Sequence, residues 1–423
     1  MRSWILIIVL FIGISAKSQD TIKVMHYNLL NYGNTTSYCT TTNNNIVDKA
    51  VYMKTIVDYV KPDVITANEL GGNSFAPQHL LDSSLNKDAE IYGRAVYANA
   101  SGGGLINMLY YNKAKFSYHS QVNLETSIRD FNIYKLYYNS PTLTTLHDTS
   151  FIRFIVVHLK AGSSSSDQNL REQMSNVLMN YLNGLGNNDN CLLLGDFNIH
   201  SSSETSFQNF VYHSNSNIRF YDPINTLGYW NNSSTYKNVH TQSTHSSSNG
   251  CASSGGMDDR FDFILAANNI MSGAGGYKYI SGSYKALGND GNHFNQSINS
   301  GSNSSVPANV LNSLYNMSDH LPILLDLKVT QSGATVNEID DFAEIYFENP
   351  VSEKLVLELR FKNTMDFNVE IYSVLGQKMF EQKFNSKENQ KLEIPFSSFE
   401  KGIYLLKLSN QYGKSITKKV LKF

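Results

Sequence analysis

Only 3 of the 423 residues are cysteine, Cys39, Cys191 and Cys251, too few to hold a fold together by disulfides. Cys39 and Cys251 lie in polar stretches and could pair, whereas Cys191 opens an apolar run and reads as packing; the sequence leaves the pairing open. A basic surplus is missing as well. The chain has 34 Lys and Arg against 36 Asp and Glu, and the last 93 residues hold 13 of each sign, so the body before them carries the acidic excess. A protein that grips long nucleic acid by its backbone is normally basic, so any such contact here must be local. No internal repeat is present. Nor is there an apolar run near the roughly 20 residues that span a bilayer. The longest, Trp4 to Ile14 after Met1-Arg2, ends in the small residues Ser15-Ala16 and reads as a secretory signal peptide cleaved between Ala16 and Gln19.

Histidine is absent from the last 93 residues: all 11 precede residue 331. There the Asn, Ser and Gly-rich body gives way to a charge-rich tail, and Thr330-Gln331-Ser332-Gly333-Ala334 reads as a linker. The expected organisation is a signal peptide over 1–19, a large domain over 20–330, a linker over 331–337 and a small domain over 338–423.

In the body, Thr21 to Tyr27 alternates like a strand, and Val64 to Ala67, Ile106 to Tyr111, Ile133 to Tyr138 and Phe151 to Val157 have strand composition. Ile46 to Val60 predicts a helix with Ile46, Val47, Ala50, Val51, Val57 and Val60 on one face, stopped before Pro62. A second helix is predicted after Asp167 as N-cap, with Leu170, Met174, Val177, Leu178, Tyr181, Leu182 and Leu185 at helical spacing and Gly184 or Gly186 at its end. Many strands with few helices suggest two packed sheets covered by helices. The Ser, Asn and Gly-rich stretches Asn231 to Gly256 and Gly273 to Pro307 read as surface insertions around a site.

Polar residues recur where apolar runs end: Asn28, Glu69, His158, Asp196 with Asn198, Asp262 inside Arg260-Phe261-Asp262-Phe263-Ile264-Leu265, and Asp319-His320. Alone, each fits a turn former or a satisfied histidine. As a set they supply what phosphodiester hydrolysis needs. Glu69, Asp319 and Asn28 offer oxygen ligands to a hard divalent cation. An imidazole held by a carboxylate can deprotonate water, and amide and imidazolium donors can meet the charge growing on the phosphoryl oxygens.

The ordered series Tyr27-Asn28, Asn68-Glu69, Val157-His158-Leu159, Gly195-Asp196-Phe197-Asn198, Phe261-Asp262-Phe263-Ile264 and Ser318-Asp319-His320-Leu321-Pro322 resembles the endonuclease/exonuclease/phosphatase superfamily, of which deoxyribonuclease I is the best-known member. The resemblance covers roughly residues 20 to 328. It implies an α+β fold, a four-layer α/β/β/α sandwich with the site at one end. It also implies roles: Glu69, Asn28 and Asp319 at a metal, Mg²⁺ with Mn²⁺ or Ca²⁺ as alternatives; Asp262 orienting His320 as the base; Asp196 and Asn198 positioning nucleophile and phosphate. His158 matches a second histidine found in the deoxyribonuclease, sphingomyelinase and inositol phosphatase branches and usually missing from abasic-site endonucleases. Arg129 resembles the family's phosphate-contacting arginine, and Lys160 is a further candidate for that contact. Leu70-Gly71-Gly72 stands where deoxyribonuclease I carries a DNA-contacting arginine, which puts that groove-binding mode in doubt.

The tail strings Asn349-Pro350-Val351-Ser352, Val369 to Gln377, Gly402 to Lys407 and Thr417-Lys418-Lys419-Val420 alternate apolar and polar residues between turns, as in a small antiparallel sandwich. They resemble the C-terminal sorting domain of the type IX secretion system, which implies the outer-membrane secretion machinery as a partner and removal of the tail on export. The expectation is therefore a secreted or surface-bound monomer without a transmembrane segment. It would be a metal-dependent phosphodiesterase, in the first place a nuclease acting on extracellular DNA or RNA. Its rivals are a phosphatase or phospholipase C-like hydrolase of inositol phosphates or sphingomyelin, and a non-catalytic surface module. No hydrophobic docking loop favours the lipid substrate, and the metal and dyad residues that a non-catalytic module would lose are all in place.

Overall fold

A computed structural model describes residues 19–140, 150–330, 343–361, 366–385, 389–410 and 415–423. The expected signal peptide, its last residue apart, and the expected linker lie outside these. Contacts divide the chain into two units between Gln331 and Ser332.

Two mixed sheets form the first unit. The seven-stranded one runs β11 (Tyr277–Tyr279), β13 (Ile323–Thr330), β1 (Gln19–Tyr32), β2 (Val64–Gly71), β4 (Leu105–Asn112), β3 (Tyr92–Arg94), with β12 (Lys285–Ala286) also on β13. The six-stranded one runs β5 (Phe116–Leu124), β6 (Phe131–Tyr138), β7 (Phe151–His158), β8 (Cys191–Asp196), β10 (Asp262–Ala267), β9 (Phe220–Tyr221). Side-chain alternation along the second sheet separates its two faces. Tyr134, Leu136, Phe154, Val156, Leu192, Leu194 and Ile264 join a core shared with the first sheet and with helices α1 (Ile46–Val60) and α6 (Ala308–Met317). Ile133, Ile155, Val157, Leu193, Phe263 and Leu265 join a second core with α3 (Ser165–Leu185) and α4 (Thr205–Val211). The result is the expected four-layer sandwich, helix, sheet, sheet, helix. Two short helices, α2 (Phe75–Leu80) and α5 (Asn268–Ser272), complete it.

Several local expectations change. On α1, Lys49, Met53, Ile56 and Val60 lie on the inner row, while Val47 and Val51 are 62% and 50% exposed. The N-cap of α3 is Ser164, not Asp167. Ser164 Oγ accepts from the Asp167 N–H while Asp167 Oδ2 accepts from the Ser164 N–H, a reciprocal box that starts the helix one turn earlier. Gly186, with φ 79°, ends it. The two polar stretches are more than surface insertions. His240, Thr241, Ser243 and Thr244 are buried, their polar atoms satisfied by backbone, as when the Thr244 hydroxyl donates to the Ser318 carbonyl at 2.7 Å. The second stretch adds β11 and β12 to the sheet edge. Cys39 and Cys251 form a disulfide and Cys191 is buried and free.

The second unit is a small β sandwich. One sheet is β14 (Ala343–Tyr346), β15 (Lys354–Phe361) and β18 (Asn389–Pro395); the other is β17 (Lys378–Asn385), β16 (Asp366–Ser373), β19 (Gly402–Asn410) and β20 (Ser415–Lys422). Alternate residues Leu355, Leu357 and Leu359 of one sheet and Val369, Ile371, Leu406 and Leu408 of the other share its core. Among the described residues no helix is long and apolar enough to cross a membrane.

Candidate active site

Strand register alone gathers most of the polar set. His158 pairs with Asp196 across the parallel strands β7 and β8, and Asp196 pairs with Asp262 across the antiparallel strands β8 and β10. In the other sheet Asn28 pairs with Asn68 across β1 and β2, one residue before Glu69. Because β10 and β13 run against their neighbours, their starts lie at the same end as the finishes of β1, β2, β7 and β8. Asp262 and the pair Asp319-His320 are thus delivered to that end. Gly195 makes the close β7–β8 approach possible, since a Cβ there would stand 1.9 Å from the Val157 carbonyl oxygen.

Asn28 is the hub between the sheets. Fully buried, its amide nitrogen donates to Glu69 Oε1 at 3.1 Å and to Asp196 Oδ2 at 3.0 Å, while its Oδ1 accepts from the Leu30 N–H at 3.0 Å. Glu69 has φ 61°, a left-handed conformation that costs a non-glycine residue about 1–3 kcal/mol and that turns its carboxylate toward this point. Its other oxygen accepts from the Asn31 N–H at 3.0 Å. Asp196 Oδ1 accepts from the Asn198 N–H at 3.0 Å, and the Asp196 N–H donates to Asn68 Oδ1 at 2.9 Å.

His320 Nδ1 lies 2.7 Å from Asp262 Oδ2. A carboxylate can only accept, so Nδ1 carries the proton and Nε2 faces the hub, 3.8 Å from Asp196 Oδ2. Burial disfavours a charged His320, but the Asp262 and Asp196 carboxylates outweigh it and hold its pKa well above the ordinary histidine value. Asp196 is pushed up to about 7, mainly by burial, with Asp262 and Glu69 adding to it against the pull of His320. His158 moves the other way: burial, then the positive fields of Arg129 and His320, keep it neutral.

The residues expected at a metal are Asn28, Glu69 and Asp319. Glu69 joins His158 and Asp196, whose Nε2 and Oδ2 are 3.5 Å apart, with Glu69 Oε1 3.7 Å from the same Nε2. One ligand atom from each of the three lies within 4.8 Å of the others. Two carboxylates and a neutral imidazole fit a divalent cation, which would also offset the repulsion from Glu69 and Asp262 that adds to the effect of burial on Asp196. Asn28 presents its N–H groups here, and its oxygen is occupied by Leu30. For Asp319, Oδ2 accepts from the Ser253 N–H at 2.8 Å, while Oδ1 is buried without a hydrogen-bond partner among the described residues and remains available to a cation.

Arg129 is half-buried, donating to the Leu159 carbonyl at 3.1 Å, and burial lowers its pKa against the pull of Glu69 and Asp196. Lys160 is turned away into an ion pair with Asp167 at 2.9 Å. Asn198 donates to the Leu159 carbonyl at 3.2 Å.

Sequence reasoning missed the supports. Asn68 Nδ2 donates to Asn107 Oδ1 at 2.7 Å, and Asn107 Nδ2 donates to Asn132 Oδ1 at 3.0 Å, a chain of buried amides joining the sheets. Ser318 Oγ donates to the Asn28 carbonyl at 2.7 Å. His26 lies behind Asp262, its Nε2 3.8 Å from Oδ1. Asn and Ser are so common in this chain that only the apolar runs enclosing Asn68 and Asn107 could have singled them out.

Residues 346–422 match the family described as Secretion system C-terminal sorting domain. No curated protein sequence matches the chain. The fold is similar to that of the human Nocturnin catalytic domain, at 13% identity over 74% of this chain and 98% of that chain with a TM-score of 0.44. It is also similar to D. rerio TDP2 complexed with single-strand DNA product, at 14% identity over 73% and 98% with a TM-score of 0.44. A third similar structure is a conserved protein of unknown function from Enterococcus faecalis, at 14% identity over 72% and 99%, again with a TM-score of 0.44.

Proposed function

We propose, from the premise that the chain ends in a secretion-system sorting domain and is exported to the cell surface or medium, that its body over 20–330 is a divalent-metal-dependent phosphodiesterase, in the first place a nuclease of extracellular DNA or RNA. The same proposal takes 1–19 as the signal peptide, 331–337 as linker and the domain from 338 as the part that the secretion machinery reads.

The observation that supports it most is the His320–Asp262 pair. Its Nε2 faces the cluster of Glu69, His158 and Asp196. In this reading Asp262 holds the Nδ1 proton, leaving Nε2 to take the proton of an attacking water. Glu69, His158 and Asp196 would hold the cation, with Asp319 Oδ1 as a further oxygen; when bound, a divalent cation neutralises charge on the phosphate. Asn28 orients the Glu69 and Asp196 carboxylates by its amide, Asn198 would position the phosphate, and Arg129 would contact it.

Incubating the exported protein with plasmid DNA, RNA, sphingomyelin and inositol phosphates, with and without Mg²⁺, beside His320→Ala, tests this. Cleavage of the nucleic acids alone, lost in the variant and without metal, is expected. No cleavage of any phosphate ester, or an equally active variant, overturns it; cleavage of the lipid or inositol ester alone moves the substrate to the rival class.

A further inference from the structure

The segment Thr241 to Thr244, part of a stretch whose composition reads as surface loop, lies between the two halves of the dyad. On one side Thr241 Oγ1 accepts from the Phe261 and Asp262 N–H groups, each at 3.2 Å, and the Gln242 carbonyl accepts from the Asp258 and Asp259 N–H groups, each at 2.9 Å. On the other side the Leu321 N–H donates to the Thr241 carbonyl at 2.7 Å, and the Thr244 N–H donates to the Asp319 carbonyl at 2.9 Å. Gln242 is bridged by backbone pairing to both Asp259 and His320. Its backbone is therefore fixed by the two elements that carry Asp262 and His320.

From that anchorage the Gln242 side chain reaches the catalytic ring. Its Nε2 stands 2.7 Å from His320 Nε2 and 3.4 Å from Asp319 Oδ2. The Asp319 carboxylate requires a donor, so the amide nitrogen, not its oxygen, faces this corner, and in the neutral ring that a base requires, with its proton on Nδ1, His320 Nε2 offers that nitrogen its lone pair. Asn28 cannot fill that place: its two N–H groups are drawn to Glu69 and Asp196, and His320 Nε2 is further off at 3.4 Å. The ring is thus gripped at Nδ1 by Asp262 and at Nε2 by Gln242.

We propose that Gln242 is a positioning residue for His320, holding the ring so that its Nε2 lone pair points into the hub until a substrate-bound water takes the place of the amide. This rests on the reading of His320 as the base. A second consequence is that the polar stretch around Gln242 is part of the catalytic machinery rather than an appendage of it.

Two variants of the full-length exported protein test the idea. Gln242→Ala removes the grip; Gln242→Glu keeps its shape but replaces the N–H by an acceptor. Both are expected to lower kcat on plasmid DNA at least about tenfold, with KM within about twofold, and Glu is expected to be no better than Ala. A Glu variant with the parent's kcat, or an Ala variant changed in KM alone, overturns the proposal. Crystal structures of the two variants give a readout independent of turnover: the His320 ring is expected to rotate off its Asp262 contact or to occupy two orientations. A ring unmoved in both overturns the proposal even if kcat falls. A parent protein that cleaves no nucleic acid instead defeats the nuclease reading, and the ring positions still decide the role of Gln242.

Discussion

Asp196 and Asp262 are direct partners across two neighbouring antiparallel strands, yet they serve opposite neighbours. Asp262 turns to His320 Nδ1 at 2.7 Å, whereas Asp196 turns to the Asn28 amide and to His158. Two carboxylates directly opposite one another in the ladder thus face different imidazoles, Asp262 that of His320 and Asp196 that of His158.

Asp262→Asn would remove the acceptor that fixes the Nδ1 proton of His320. A loss of about a hundred- to ten-thousand-fold in kcat on plasmid DNA is expected, with little change in KM. An activity within twofold of the parent would mean that His320 is not the base.

Cation binding separates the two ligand sets. Glu69→Ala and Asp196→Ala should each weaken Mn²⁺ binding, followed by calorimetry on the full chain, by more than the about 10–100-fold that removal of an outer partner costs. Asp319→Ala should weaken it less, because only one of its oxygens is free. Equal losses from Glu69 and Asp319 would place the ion between those two instead.

His26 is buried, and burial, opposed by Asp262 and reinforced by His320, lowers its pKa to about 4. The unfolded chain takes up this proton near the ordinary histidine value, well before the folded one does. Stability is therefore fully present above about pH 6.5 and declines as the pH falls to about 4, by about 3 kcal/mol in all. His26→Gln should flatten that decline in thermal unfolding scans; a difference curve with no slope between pH 6.5 and 4 would refute it.

The Cys39–Cys251 bond closes a loop of 212 residues and tethers the segment whose Ser253 N–H holds Asp319. Replacing both cysteines by serine should destabilise the body by about 2–5 kcal/mol. Phosphodiester cleavage should fall as well, since Asp319 loses a fixed donor. Unfolding by denaturant and plasmid cleavage measure the two effects separately.

Helix α1 was legible to its ends because its apolar spacing begins at Ile46 and Pro62 stops it, and the strands with continuous apolar runs were legible because burial on both faces leaves no polar break. The strand β5 was not, since Phe116–Leu124 is half-exposed and polar at the sheet edge. Val47 and Val51 misled for a related reason: apolar residues at helical spacing do not say which row faces the core.

The sequence by itself determined that Asn28, Glu69, His158, Asp196, Asp262 and His320 stand where apolar runs end, and the family resemblance implied that they meet at one end of a sandwich. Apolar runs and alternation are local properties that one chain states openly. What only the tertiary structure decided is how those side chains pair: Glu69 close to His158 and Asp196, and Gln242 on the His320 ring. These contacts depend on hydrogen bonds between segments 41 to 292 residues apart, made by Asn, Gln and Ser, which have no periodicity to betray them.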